Sequence, residues 1–467
     1  MVALQITTTT GTQAALEAAA VEELKESLRG QLISPVDAGY DEARHIWNAN
    51  IDAHPALIAR CLGAADVVNA VNFARENNWL VSVRGGGHNF RGTCVADGAL
   101  VIDLTNMNSV RVDPVRRTAR AEGGTKWGQF DRETQAFGLA CTGGTNYDTG
   151  IGGLTLGGGM GWLGGKYGLA LDNLISVDIV TADGQLRIAS ATEDPDLFWA
   201  VRGGGGNFGV VTSFEYQLHP VGPLLVGLMI FPLDQAREVL RSYHKFASSV
   251  PDEVNTASGL ATLEDGTPAV AIVACYNGPL DEGEKVLEPL RKIGQPIMAQ
   301  FGPMPYVQVQ HLLDPFTPEG HQYYEKTHFI SDISDGAIDV LVESYRNTSS
   351  PGNLLVLQQQ GNAANRVAPG ATAFSHRDAR YVLVLIARWA DPGESEIHFK
   401  WTRDLWEDLV PHTTGGVYVN SVGSEAADGA TMIRSAYGAN YPRLAQVKNK
   451  YDPTNLFRHN QNIKPAV

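Results

Sequence analysis

The run Val81-Ser-Val-Arg84-Gly85-Gly86-Gly87-His88-Asn89-Phe-Arg-Gly92 sets three glycines and an imidazole directly after a β-branched strand. Successive glycines let main-chain N–H groups come close to a ligand, and such a nest suits the oxygens of a pyrophosphate. Arg84 and Arg91 add local positive charge. The histidine at the end of the turn is a nucleophile. A phosphate cradle that ends in an imidazole points to a nucleotide cofactor that is held here and tethered here.

Two further segments read G-x-G-x-x-G, at 159–164 and 204–209. A dinucleotide fingerprint of the doubly wound type needs an apolar strand before it and a helix running through its last glycine. Residues 150–159 are too glycine-rich for a buried strand, and the glycines at 204–209 lead into a strand. Neither segment ends in the Lys-Ser/Thr of a phosphate-binding loop. That cofactor class is therefore set aside.

The elements that must position these turns follow from periodicity and breakers. Residues 1–12 read as a flexible tail and 14–28 as a helix. Strands are expected at 56–60, 80–83, 99–104, 109–113, 176–181 and 209–218, with helices at 64–77, 127–137 and 194–200. Residues 143–168 are dominated by glycine. Pro220 to Pro223 is a boundary. Beyond it strands at 224–231, 269–275, 354–360, 381–389 and 416–420 alternate with amphipathic helices near 233–247, 281–293, 335–347 and 395–409. That pattern predicts a sheet covered on one face, its other face turned toward the first domain with a cleft between. A long helix at 426–450, weakly interrupted at Gly438, and a return loop at 455–463 close the chain. The resulting division is a tail and helix at 1–37, a cofactor domain at 38–222, a substrate domain at 223–420 and a C-terminal return at 421–467.

Composition narrows the function class. The chain has 467 residues, 50 of them glycine, and a formal net charge of −15, which argues against a nucleic-acid groove or a charge-bound membrane partner. Its four cysteines, Cys61, Cys94, Cys141 and Cys275, are scattered without metal-ligand spacing. No secretory leader and no apolar run long enough to span a bilayer is present in the sequence, so a cytoplasmic monomer or homodimer acting on a small molecule is expected.

Taken in order, the segments Arg84–His88, 143–162, Lys166-Tyr-Gly-Leu-Ala-Leu-Asp-Asn-Leu174, Ala200-Val-Arg-Gly-Gly-Gly-Gly-Asn-Phe-Gly209 and Tyr451-Asp-Pro-Thr-Asn-Leu-Phe-Arg-His-Asn-Gln461 resemble the FAD-linked oxidases of the vanillyl-alcohol oxidase/p-cresol methylhydroxylase superfamily. The berberine-bridge-enzyme-like branch is most similar, and within it the bacterial subgroup of 6-hydroxy-D-nicotine oxidases. The resemblance runs from about residue 38 to 463. It implies an α+β fold of p-cresol methylhydroxylase type, with an antiparallel-sheet substrate domain covered by helices. It also implies FAD bonded covalently through His88. Some relatives add a cysteinyl link; the matching position here is Asn146, so a single link is expected, with Cys141 a small buried residue. The resemblance assigns the cofactor to Arg84, Gly85, Gly86, Gly87, His88, Asn89, Gly144, Thr145, Asn146, Thr149, Gly150, Gly152, Gly153, Gly159, Val210, Asn460 and Gln461.

Thr149 matches the position that lines the oxygen approach in relatives, or is a turn threonine. Gln358, Gln360 and Asn362 alternate and share a strand face. The run Tyr323-Tyr-Glu-Lys-Thr-His328 and the pair Tyr418 and Asn420 are further candidates for the cleft. Several relatives carry a carboxylate where this chain reads Leu357-Gln-Gln-Gln360. Its loss leaves Tyr324, Tyr437, His376 or water to take a substrate proton. The expected activity is hydride removal from a small alcohol, amine or natural-product intermediate, with O2 reduced to H2O2. An oxygenase or oxidative cyclase, and a non-catalytic flavin-binding protein, are the alternatives.

Overall fold

A computed structural model describes residues 5–422 and 429–466. The fold is α+β and is built around three sheets. The first, Gln31–Ile33 (β1), Leu57–Arg60 (β2), Val81–Arg84 (β3) and Leu100–Asp103 (β4), has the order β1-β2-β4-β3. Its β2–β4 and β4–β3 pairs are parallel, as the crossover through helix Ala64–Glu76 requires. The second, Val110–Asp113 (β5), Thr118–Glu122 (β6), Leu174–Val180 (β7), Leu186–Ser190 (β8) and Val210–Gln217 (β9), is antiparallel in the order β8-β7-β9-β6-β5.

The third sheet is also antiparallel. It comprises Leu224–Pro232 (β10), Val254–Thr262 (β11), Pro268–Tyr276 (β12), Met298–Met304 (β13), Gln322–Ile330 (β14), Leu354–Gln359 (β15) and Tyr381–Trp389 (β16), in the order β13-β10-β12-β11-β15-β16-β14. Helices Ala236–Ala247, Asp335–Arg346 and Ser395–Leu409 cover one face and bury Val239, Leu240, Ile338, Leu341 and Leu405 against it. Apolar burial of about 25 cal/mol per Å2 drives that packing. The other face looks toward the glycine turns of the first two sheets.

Four expectations are corrected. Residues 5–15 form a small antiparallel ribbon, Gln5–Thr7 with Gln13–Ala15, so only 1–4 lie outside the described residues of the expected tail. Its threonines are β-branched, and Thr7 N donates to Gly98 O at 2.7 Å; the helix accordingly starts at Ala18. The expected strand at 416–420 is instead irregular with a 3-10 turn at Val419–Ser421, because Tyr418 and Asn420 turn their side chains onto residues 154–159. The glycine-rich stretch contains a helix, Ile151–Gly157. The C-terminal helix is two, Gly429–Tyr437 and Tyr441–Tyr451, parted at Gly438 where φ is +49°; residues 426–428 of its expected span lie outside the described residues. Sequence periodicity also passes over β1, β6, β8, β11, β13 and β14.

Helix Trp127–Gln135 carries a buried acid into the contact with Tyr306–Val309. Asp131 Oδ2 accepts from Gln310 Nε2 at 2.9 Å, and Oδ1 has no partner. Burial pushes its pKa up to about 7, against the lowering by that hydrogen bond. The native state then holds a proton that the unfolded chain has released, so stability falls as pH rises from about 4 through about 7. Asp131→Asn is expected to flatten that slope in thermal melts between about pH 5 and 8. An unchanged slope excludes this assignment.

Candidate functional site

A cavity of about 370 Å3 lies between the glycine turns, the third sheet and the C-terminal loop. Gly86 and Gly150 stand back to back there. A Cβ on Gly86 would meet Gly150 N and Cα at 2.5 Å, so side chains are excluded and two main chains meet. Gly153 and Gly206 have no atom within 4 Å of an added Cβ, and both face the cavity. Gly205 has a φ of +67°, which favours glycine. The three turns form a side-chain-free cradle.

His88 lies on the cavity wall. Its Nε2 is 3.0 Å from Asp148 Oδ2, and its ring stacks on Trp47 at 5.0 Å. Trp47 stacks in turn on Tyr323 at 4.0 Å. Asn48 fixes the same contact, since its Nδ2 donates to Tyr323 O at 3.0 Å and its Oδ1 accepts from Tyr323 N at 2.9 Å. The edge strand β14 of the third sheet is thus pinned beside the imidazole. Burial acts to raise the Asp148 pKa, but the hydrogen bond and charge of His88 outweigh it and leave the carboxyl below its ordinary value.

Of the residues expected from the sequence, Gly85, Gly86, Gly87, His88, Asn89, Thr145, Asn146, Thr149, Gly150, Gly152, Gly153, Gln358, Asn460 and Gln461 line this cavity. Asn89 Oδ1 caps the turn by accepting from Thr93 N at 3.1 Å. Asn146 Nδ2 donates to Thr317 Oγ1 at 2.7 Å. Cys141 is buried in the core beside Trp127 and Phe130 and is not on the cavity wall.

Other expected residues are placed elsewhere. Asn362, expected on a strand face with Gln358 and Gln360, instead opens the short helix Asn362–Arg366 after the strand ends, and its Nδ2 donates to Val250 O at 3.1 Å. The Arg84 guanidinium turns away to donate to Ala43 O. Gly144 packs under Leu154, and Gly159 N donates to the Tyr418 hydroxyl at 3.0 Å. Val210 belongs to the core, and its neighbour Val211 faces the cavity. Tyr324 has the opposite parity on β14 and packs on Phe399 at 4.8 Å, on the helix-covered face. The Tyr437 hydroxyl donates to Gln461 O and supports the C-terminal loop from behind. Gln360 lies past the end of β15, where its Nε2 donates to His376 O at 3.1 Å. His376 itself bonds to Ser435 O and Ala436 O and stacks on Phe329 at 4.4 Å.

Glu325 was not singled out from the sequence. It lies on β14 in the run 323–328, which the sequence marks as an aromatic and titratable candidate for the cleft without a role for the acid. Pairing places Glu325 opposite Ile386 and Ile386 opposite Leu354, a row across β14, β16 and β15 that forms the cavity floor. Strand parity at Tyr323, Glu325 and Thr327 was the available signal. Burial raises the Glu325 pKa to about 7, moderated by the Ser421 hydroxyl. Beside it the Tyr418 phenol is pushed up to about 12, mainly by burial.

Five buried polar atoms of wall residues have no protein partner: Trp47 Nε1, Ser82 Oγ, Gln358 Nε2, Asn460 Oδ1 and Gln461 Nε2. Buried amides without partners are costly unless a ligand satisfies them. An amide edge plus an open glycine cradle suits a ring with a polar rim joined to a pyrophosphate.

Residues 55–190 match the FAD binding domain family, and residues 418–464 match the berberine and berberine-like family. An FAD-linked oxidoreductase of Dictyostelium discoideum is 33% identical over 95% of this chain and 97% of its own length. The (R)-6-hydroxynicotine oxidase of Paenarthrobacter nicotinovorans is 35% identical over 94% and 97%. This chain belongs to the berberine-like FAD-linked oxidases. The crystal structure of 6-hydroxy-D-nicotine oxidase from Arthrobacter nicotinovorans superposes on this berberine-like oxidase with a TM-score of 0.84, at 32% identity, covering 94% of this chain and 99% of that one. Among the described residues no helix is long and apolar enough to cross a membrane, and none of their His, Cys, Asp and Glu side chains cluster as a metal site.

Proposed function

We propose that this oxidase holds FAD through one covalent bond from His88 and passes its electrons to O2, forming H2O2. The observation that carries the tether is the imidazole on the cavity wall, held by Asp148 on Nε2 and by the Trp47 ring. A carboxylate partner fixes the ring and supports its nucleophilic form. With Nε2 engaged, Nδ1 is the nitrogen left to bond. Asn146 and the remote Cys141 support a single link.

Gly85–Gly87, Gly150–Gly153 and Gly205–Gly206 would hold the diphosphate and ribityl chain, and Asn460, Gln461 and Gln358 would meet the polar rim of the ring. FAD supplies a two-electron acceptor. The protein's part is to lay a substrate C–H against it, exclude water with the apolar row Leu354, Val356, Val382, Val384 and Ile386, and receive a proton. Thr149 on the opposite wall leaves room for oxygen. A cytoplasmic setting accords with four buried, unpaired cysteines.

Acid precipitation tests the tether. Wild-type protein is expected to keep its yellow colour in the pellet, and His88→Ala to release it to the supernatant. Colour that washes out of wild type excludes covalent attachment, and colour retained by His88→Ala excludes this site. A peroxide assay during substrate turnover checks the electron acceptor.

A further inference from the structure

The strand position at which several relatives carry a carboxylate is glutamine here, yet the cavity does contain a carboxylate, delivered from a different strand. Glu325 projects from β14 into the same space, beside an apolar floor. We propose that Glu325 binds the ammonium group of an amine substrate and takes its N–H proton. The proposal deepens the oxidase reading above and rests on it.

Three observations select an amine. Among the described residues no lysine or arginine lines the cavity, so Glu325 faces no protein cation there. Lys326, next to it in sequence, has the opposite parity and lies 4.4 Å from the Trp406 ring on the helix side. A buried carboxylate of this kind is best compensated by a cation brought by the ligand. The rest of the floor, Leu354, Val356, Val382, Val384 and Ile386, is hydrocarbon, which suits an alkyl or aryl body and not a polyhydroxylated one.

Tyr418 is the other acid–base group nearby, and its bonding makes it a donor. Its oxygen accepts from Gly159 N at 3.0 Å and Asn420 Nδ2 at 2.9 Å. Its pKa of about 12 keeps the phenol protonated. The remaining titratable groups on the wall, His88, Cys94 and His459, come from the first glycine turn, the loop after it and the C-terminal loop, not from the third sheet.

The chemistry balances. The bound ammonium gives one N–H proton to the Glu325 carboxylate, leaving a neutral amine with a free lone pair. That pair forms the C=N bond as the α-hydrogen departs with its two electrons to the flavin oxidant. The product is an iminium, which water hydrolyses after release. The proton on Glu325 returns to solvent, and O2 removes the two electrons.

The experiment uses flavin-loaded protein under anaerobic conditions. Benzylamine, N-methylbenzylamine and 2-phenylpyrrolidine are each titrated against their neutral oxygen analogues, and the shift of the visible flavin band reports binding without turnover. Wild type is expected to bind amines at least about tenfold more tightly than the analogues. Binding should strengthen as pH rises through about 7 and weaken again near the amine's own pKa of about 10. Glu325→Gln should lose both the preference and the lower pH limb while keeping its colour. Ser421→Ala should move that limb to higher pH, since the hydroxyl's lowering effect is removed, and it serves as the second variant if Glu325→Gln fails to load flavin. An amine preference surviving in Glu325→Gln, analogues that bind more tightly, an unmoved limb in Ser421→Ala, or no band shift with any amine overturns the proposal. Failure of the oxidase reading looks different: amines bind but never bleach the flavin.

Discussion

Gly86→Ala is expected to give protein with little bound flavin, its visible-to-protein absorbance ratio at least about tenfold below wild type. The added Cβ would stand 2.5 Å from Gly150 Cα and N, both main-chain atoms of the facing turn. No rotamer relieves that contact, so the two turns must part by about an ångström. Their separation displaces Thr149 and His88 together, because each directly flanks one of the paired turns. Overpacking of this kind costs about 1–3 kcal/mol. Gly153→Ala is the control. Its Cβ meets no protein atom within 4 Å and sits in a helix, so the flavin-free protein should melt no lower than wild type. The same Cβ enters the cavity, and flavin content should fall. If both variants load flavin fully, the glycine cradle is not the cofactor's seat.

The turn at Gly85–Gly87 was legible because glycine and histidine types are decisive on their own, whatever the tertiary context. The strands flanking it were legible from apolar runs. Helix Ile151–Gly157 was not, because four of its seven residues are not glycine yet the others suppress the periodic signal. It survives because its helical glycines let Gly123 O and the ring of Phe214 approach to 3.1 and 3.7 Å of the Gly152 Cβ position. Tertiary packing overrides propensity there.

The third sheet shows a second limit. β15 and β16 are apolar enough to be read as strands, but β14 is Gln-Tyr-Tyr-Glu-Lys-Thr-His-Phe-Ile and is buried on both faces. Its polar residues meet partners that the fold brings to them: Trp406 over Lys326, Trp406 O beside His328 Nε2, and Ser421 near Glu325. None of those partners is near in sequence. Glu325 thus lies in a segment whose pattern resembles no standard strand, and the run could be named as a cleft candidate without the acid standing out. The glutamines of β15 were noticed instead, and of these only Gln358 reaches the cavity.

Lys448→Met is expected to lower stability by about 3–5 kcal/mol, because it strands Asp452 as a buried unpaired charge. Both side chains are fully buried and their Nζ–Oδ2 distance is 2.6 Å. Lys448 also donates to Asn207 O at 2.7 Å and Phe457 O at 2.9 Å. Asp452 accepts from Leu456 N and Phe457 N. The pair therefore ties helix Tyr441–Tyr451 to the glycine turn ending at Asn207 and to the loop that presents Asn460 and Gln461. Burial draws the Lys448 pKa down to about 8 in spite of the charge on Asp452, so carrying the ammonium inside is itself costly. Lys448→Met with Asp452→Asn removes both charges and keeps a carbonyl acceptor for one of the two loop N–H groups. Chemical denaturation should accordingly show the double variant recovering part of the loss. A single variant within about 1 kcal/mol of wild type would mean that Asp452 finds another partner. Flavin incorporation should follow the same order, lowest in the single variant, intermediate in the double and highest in wild type, since the loop and the turn are the parts of the cradle that this pair holds in place.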